Sequence, residues 1–413
     1  MAMREPILTF SRFLSANARW LGGGMLLTFF SSVGQTFFIA SFAGDIRADF
    51  DLTHGGFGMI YMLATLASAA TLVFIGRVAD DMAVVKVAVG LILLLAASAI
   101  VMATARNVAL LLISIYFLRL FGQGMMSHTA MVAMGKWFVK ERGRAVSITT
   151  TGHQLGEGIL PLLLVSLLAM TSWRNAWLLA AATLLLLALP LSYLWLRVPR
   201  TPSIEDRDNQ ESGRQWTRAE VLRDSPFWVV CTGVLAPAFI GTAVFFHQVH
   251  LGELKAWAPG VIAGSFAVMS ITSVIVGLVT GQLIDRFSAR LLLPFFLLPL
   301  SVGCIVLSLA VHPVSMSFFM FLLGCSYGVS NAVFGAIWPE VYGTRHLGAV
   351  RSVVSAAMVF ASALGPGLTG WLIDVGIGFE RQLLFMSAYC VVTMLMLFPV
   401  SRTLQRRQLP LQA

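Results

Sequence analysis

Glu157 stands between two glycines, in Leu155-Gly156-Glu157-Gly158-Ile159, deep inside an otherwise apolar stretch. In a helix that crosses lipid, an ionisable side chain costs about 2.5 to 3.5 kcal/mol on insertion scales, so it faces a partner or a water-filled cavity. A near copy, Leu364-Gly365-Pro366-Gly367-Leu368, lies 209 residues on and has proline where the first has glutamate. Proline would have served the architecture, so the carboxyl is a candidate for proton exchange. Arg119 is the second charge of this kind. It lies about 12 residues from the end of its apolar segment and Glu157 about 11 from the same-side end of the next, so at 1.5 Å per residue the two share a depth. Opposite charges at one depth on adjacent helices are expected to pair, whether for coupling or as a structural tie.

Polar residues one helical turn apart share a face, and three such pairs lie in apolar segments: Arg119 with Gln123, Ser31 with Gln35, and Tyr327 with Asn331. Interhelical hydrogen bonding is the competing reading for each. His247, His250 and Glu253 are spaced by three, which rotates them around a helix, and no second cluster accompanies them, so no metal site is expected. His247, beside Phe246, reads as a cavity residue. Gly152 and Gly156, Gly277 and Gly281, and Gly324 and Gly328 are spaced for close helix approach.

The elements that must hold these residues follow from composition. Of 413 residues 58% are hydrophobic and 11% charged, against about a quarter charged in a soluble domain. The chain is an integral membrane protein whose first partner is the lipid bilayer. Its formal charge of +9 is spread between apolar segments and not gathered on one polar domain, so no nucleic-acid partner is expected. Cys231, Cys304, Cys325 and Cys390 fall singly in apolar runs, which implies neither disulfides nor zinc. No H-E-x-x-H, G-x-S-x-G or Walker loop is present, so neither an enzyme nor an ATP-driven pump is expected, and no cofactor.

Apolar segments of about 20 residues, enough for a ~30 Å hydrocarbon core, recur near 20–43, 55–76, 84–104, 107–134, 145–168 and 174–197. After a polar stretch they recur near 226–250, 258–282, 288–310, 314–338, 348–374 and 382–400. The expected fold is an all-α membrane protein of twelve transmembrane helices in two pseudo-symmetric six-helix halves. Residues 1–197 form the first bundle, 198–224 a cytoplasmic linker and 225–413 the second bundle. About 22 of the 28 Lys and Arg residues fall in the termini, the linker and the loops after even-numbered spans, which places both termini in the cytoplasm of a multi-pass plasma-membrane (bacterial inner-membrane) protein. The halves also repeat in their loops: Gly76-Arg77-Val78-Ala79-Asp80 follows the second span, and Gly281-Gln282-Leu283-Ile284-Asp285-Arg286 follows the eighth, 205 residues later. Duplicated halves with a site near the midplane are a common transporter design.

These Gly-x-x-x-Asp loops, the arginine of the fourth span and the glycine-rich fifth and eleventh spans together resemble the major facilitator superfamily over nearly the whole chain. Gly34-Gln35-Thr36-Phe37-Phe38, Ser172-Trp173-Arg174 and Trp338-Pro339-Glu340 look most like the bacterial monocarboxylate and oxalate-formate type porters, although the basic residue typical of their eighth span is absent from 261–282. The resemblance implies alternating access by a secondary transporter, here expected as a monomer moving a small organic anion with protons. It implies substrate contacts at Arg119, Gln123, Gln35, His247, Tyr327 and Asn331, since spans 1, 4, 7 and 10 line the cavity in that family. Glu157 is the proton-coupling residue on this reading. Gly76, Asp80, Gly281, Asp285, Arg286, Glu340 and Arg351 are the gating set. A proton-coupled exporter of amphipathic compounds and a non-transporting receptor on the same scaffold are the alternatives.

Overall fold

In lipid every backbone polar group has to be satisfied inside its own segment, which leaves the apolar stretches little choice but helix. The computed structural model describes residues 4–76, 78–138, 142–198, 200, 216–343 and 346–407, without the side chains of 4–11, 80, 142, 285 and 347–349. Every regular element among the described residues is helical. Ten helices are long and apolar enough to cross a membrane: Arg12–Ala40, His54–Ile75, Val84–Thr104, Val108–Trp137, Trp173–Leu196, Ser225–Phe246, Pro259–Ile284, Val314–Tyr342, Val350–Asp374 and Phe379–Arg406. Two more helices occupy the fifth and ninth places of the expected twelve. Arg142–Leu168 is long enough but carries Thr149, Thr150, Thr151, His153, Gln154 and Glu157. Leu298–Leu309 is short because Pro294 interrupts the stretch before it and Pro299 stands in its first turn. Residues 201–215 of the polar linker lie outside the described residues.

By contacts the chain forms two compact units. The first comprises Met1–Ile39, Ala67–Glu157 and Leu167–Asn209. Here basic side chains satisfy the carbonyls that helix ends leave open. Arg174 donates to the carbonyls of Ala103 at 3.0 Å and Ala105 at 2.7 Å, closing the end of the third span. Arg19 donates to Leu194 at 2.6 Å and Trp195 at 3.0 Å, which ties the first span to the end of the sixth. The fifth span lies directly on the first: a Cβ on Gly152 would fall 2.1 Å from the Met25 carbonyl, and one on Gly156 would fall 2.1 Å from Ser32 Oγ.

The second unit comprises Ala40–Leu66, Gly158–Ser166 and Gln210–Ala413. Its eleventh span approaches the seventh as the fifth approaches the first, since a Cβ on Gly365 would sit 2.9 Å from the Phe239 carbonyl. Gly156 and Gly365 are 209 residues apart, so the internal repeat read from the loops recurs in the packing. Gly324 and Gly328 of the tenth span press against the carbonyls of Met269 and Ser273 on the eighth, as their spacing predicts. Gly281 does not behave so: nothing lies within 4 Å of a Cβ built there.

Polar nodes close this unit where its helices end. Arg407 meets Asp224 with two bonds of 2.8 Å, and the Tyr342 hydroxyl donates to the same carboxylate at 2.8 Å. Burial by itself would raise the Asp224 carboxyl, but the bonds from Arg407 and Tyr342 outweigh it and hold the group below its ordinary range. A depressed carboxyl stabilises the fold above its unfolded pKa, near 4, and loses that contribution as pH falls through the folded value. Asp224→Asn should therefore lower stability at neutral pH by about 1–3 kcal/mol, toward the lower end because Arg407 is 35% exposed. In thermal unfolding of the purified protein the variant should also lose part of the wild-type decline below about pH 4.

Candidate transport site

Arg119 opens a run of π-helix, Arg119–Met126, inside the fourth span. Such a widened turn is frequent at functional sites. It also shifts the register, so Gln123, half-buried, does not sit one regular α-turn from Arg119 as the spacing had suggested. Facing it, the first span loosens: Ser31–Gly34 is a 3-10 turn and Gln35 is extended before helix resumes at Thr36. The break leaves backbone carbonyls without their usual partners. Arg119, 2% exposed, reaches into it and donates to the Gly34 carbonyl at 3.2 Å and the Thr36 hydroxyl at 3.4 Å. The approach depends on two glycines. A Cβ on Gly34 would fall 2.1 Å from the Leu118 carbonyl, and one on Gly122 2.7 Å from Gly34 Cα.

The expected ion pair between Arg119 and Glu157 is not formed. Glu157 is 8% exposed and makes no hydrogen bond or ion pair among the described residues. Equal depth fixes height but not azimuth, and the Arg119 side chain turns to the broken backbone of the first span instead. His153, one turn before Glu157, is half-buried, with its Nδ1 buried and unpartnered.

The second unit repeats this geometry with different chemistry. Tyr327 of the tenth span reaches the seventh, where a Cβ on Gly241 would lie 1.8 Å from its hydroxyl, and it donates to the Pro237 carbonyl at 3.4 Å. Gly34 and Gly241 are 207 residues apart, and Arg119 and Tyr327 are 208 apart. The duplicated scaffold thus carries a cation in one copy and a phenol in the other. Gln35 is buried in the first span's break. Asn331 is exposed, and His247 is buried where the seventh span ends.

Of the gating set, the side chains of Asp80 and Asp285 lie outside the described residues. Gly76 closes a turn on Leu72, and Arg286 ends the eighth helix exposed. Arg351 donates to the Gly335 carbonyl at 2.7 Å. Glu340 accepts from Ser288 Oγ at 3.1 Å and from the Ala289 amide at 3.3 Å, so it caps the short helix that follows the eighth-span loop. Arg290, which was not among the expected residues, completes this node: it is buried, pairs with Glu340 at 3.7 Å and donates to the carbonyls of Glu340 and Leu404. In sequence it lies four residues beyond the loop motif Gly281 to Arg286.

A duplicated helical scaffold with a buried arginine on a broken first span is the geometry; the family follows from the sequence profile of the Major Facilitator Superfamily, which matches residues 24–350 and, overlapping, 249–413. The chain belongs to the Major Facilitator Superfamily. It is accordingly a member of a family of membrane transporters. An uncharacterized protein of Mycobacterium tuberculosis is 29% identical over 266 residues, 62% of this chain and 60% of the relative. The oxalate:formate antiporter of Oxalobacter formigenes is 22% identical over 276 residues, 63% of this chain and 64% of that protein. The chain thus matches about three-fifths of the length of these curated relatives. In fold it is similar to a bacterial homologue of the human lysosomal transporter Spinster, with a TM-score of 0.70 at 16% identity over 94% of this chain and 98% of that one. The nucleoside transporter NupG gives 0.68 at 14% identity, over 92% and 98%.

Two substitutions test the packing that holds this superfamily member's Arg119. Gly34→Ala places a methyl against the Leu118 backbone, which cannot rotate away, and should destabilise the protein by about 1–3 kcal/mol. Gly281→Ala should stay within about ±0.5 kcal/mol. Thermal melting of both in the same lipid environment checks the pair.

Proposed function

We propose that the protein is a proton-coupled secondary transporter of a small organic anion, a carboxylate, working by alternating access. Arg119 supplies the cation that meets the substrate, and Glu157 carries the coupling proton. The observation that carries this reading is the buried guanidinium at the break in the first span, an environment where a full positive charge is costly unless function retains it. The similarity to an oxalate:formate antiporter supports the carboxylate class. The two movable bodies are the six-helix halves at 1–197 and 225–413, joined by the linker at 198–224. Gln35, Gln123, His247, Tyr327 and Asn331 are proposed as further substrate contacts. Gly76, Asp80, Gly281, Asp285, Arg286, Glu340 and Arg351 are proposed to govern the gates. The protein acts as a monomer in the plasma membrane, with both termini cytoplasmic, as the lysine and arginine distribution supports.

Coupling needs no direct bond between the two charges. An anion on Arg119 adds negative charge to the apolar layer in which Glu157 is also buried, and a protonated carboxyl tolerates it better than an ionised one. Proton and anion then favour each other's binding, which is symport by linkage.

In proteoliposomes, Arg119→Gln should cut carboxylate uptake by about 10- to 100-fold, the worth of charge-assisted hydrogen bonds of about 1.5–3 kcal/mol. Glu157→Gln should keep carboxylate exchange while losing uphill uptake driven by a pH gradient. Accumulation by Glu157→Gln under a proton gradient alone would remove Glu157 from the coupling step.

A further inference from the structure

Within the second unit a small, partly open pocket lies where the second span begins and the seventh ends. Arg47, His54, His247 and His250 line it together with Phe57 and Phe246. The two phenyl rings stack at 5.0 Å and form an apolar wall. Among the polar groups Arg47 Nη1 donates to His54 Nε2 at 3.1 Å. That nitrogen accepts, so the His54 ring is neutral and carries its proton on Nδ1. The His54 and His250 rings are 4.1 Å apart, and His247 lies 6.1 Å from His54. His247 is 2% exposed and its Nε2 has no partner.

Carboxylates stand nearby, and Asp374 acts on His54 and Glu253 on His250 through space. Asp374 of the eleventh span accepts from the Gly55 amide at 2.8 Å. Glu380 of the twelfth pairs with Lys255 at 2.6 Å. Asp45 and Asp49 share the short helix Ala43–Phe50 with Arg47, and Glu253 shares Gln248–Leu254 with His250. None of these forms an ion pair with Arg47 among the described residues. The result is a guanidinium with no ion pair among the described residues, an orphaned buried imidazole nitrogen and two further imidazoles around one space, with Asp374 near enough to act on His54 and Glu253 on His250.

We propose that this pocket is a second anion site, separate from Arg119, which takes a small carboxylate together with a proton. The guanidinium offers a planar fork that matches a carboxylate, His247 Nε2 gains the partner it lacks, and the phenyl wall limits the ligand to a few heavy atoms. Proton uptake follows from the His54 bond. Once its Nε2 is protonated it becomes a donor and can no longer accept from Arg47, so the guanidinium is released toward the ligand. By linkage an anion that favours the protonated imidazoles binds more tightly as pH falls. The site goes beyond the transport reading and does not require it.

Oxalate titrated calorimetrically into the full chain in lipid nanodiscs separates the two sites. In an Arg119→Gln background one oxalate site should remain, tightening about tenfold from pH 7.5 to about pH 5.5 as imidazoles charge. The heat should vary with the buffer's ionisation enthalpy, showing net proton uptake. Adding Arg47→Gln should weaken this site about tenfold or more. Arg47→Lys, which keeps the charge and loses the fork, should fall between, and His250→Gln should flatten the pH dependence while retaining binding. Phosphate should bind about tenfold more weakly than oxalate because the pocket suits a planar anion, and equal binding overturns the carboxylate assignment. Unchanged affinity in a folded Arg47→Gln variant, or no oxalate binding in a folded Arg119→Gln protein, overturns the site. Failure of the Arg119 reading shows separately, as wild-type and Arg119→Gln proteins with identical binding.

Discussion

The first half of the molecule depends on one satisfied backbone break. Where the first span unwinds at Ser31–Gln35, carbonyls inside an apolar layer lose their helical partners, and a buried carbonyl without a donor costs about 1–3 kcal/mol. Arg119 supplies the donor to Gly34. It can do so only because Gly34 and Gly122 let two backbones touch and because the π-turn starting at Arg119 re-aims its side chain. The residue that carries the charge therefore also holds the break open. A transporter gains from this arrangement, since a ligand that draws the guanidinium away also removes the support of the first span.

The second half uses the same scaffold without the charge. Tyr327 meets the seventh span at Gly241 as Arg119 meets the first at Gly34, and Gly365 repeats the close approach of Gly156. Duplication preserved the places where no side chain fits, because close helix approach is what binds helices in lipid. It left free the polar groups that differ in chemistry. The counterpart of Glu157 is Pro366, so both the cation and the carboxyl are confined to one copy.

Charge at the helix ends has a different task. The Asp224, Arg407 and Tyr342 node and the Glu340, Arg290 and Ser288 node each join helix termini that are far apart in sequence. Both consist of a carboxylate meeting several donors, which is cheaper than leaving a terminal carbonyl or amide unpaired. The histidine-lined pocket departs from this pattern, for there the donors converge and, among the described residues, no carboxylate forms an ion pair with Arg47.

The sequence by itself determined the membrane class, the helix positions and the duplication, because each follows from local composition or from self-similarity. It also singled out Arg119 and Glu157 as ionisable groups inside apolar segments, and counting residues gave them one expected depth. What it could not supply was direction around the helix axis. Azimuth is set by which backbones can touch, and so only the tertiary structure turned Arg119 to the break at Gly34 and away from Glu157. The same holds for Arg47, on the short helix Ala43–Phe50, and His54, at the start of the second span, which say nothing in sequence. Folding places them beside His247 and His250, because the aromatic faces of Phe57 and Phe246 stack and bring their neighbours together.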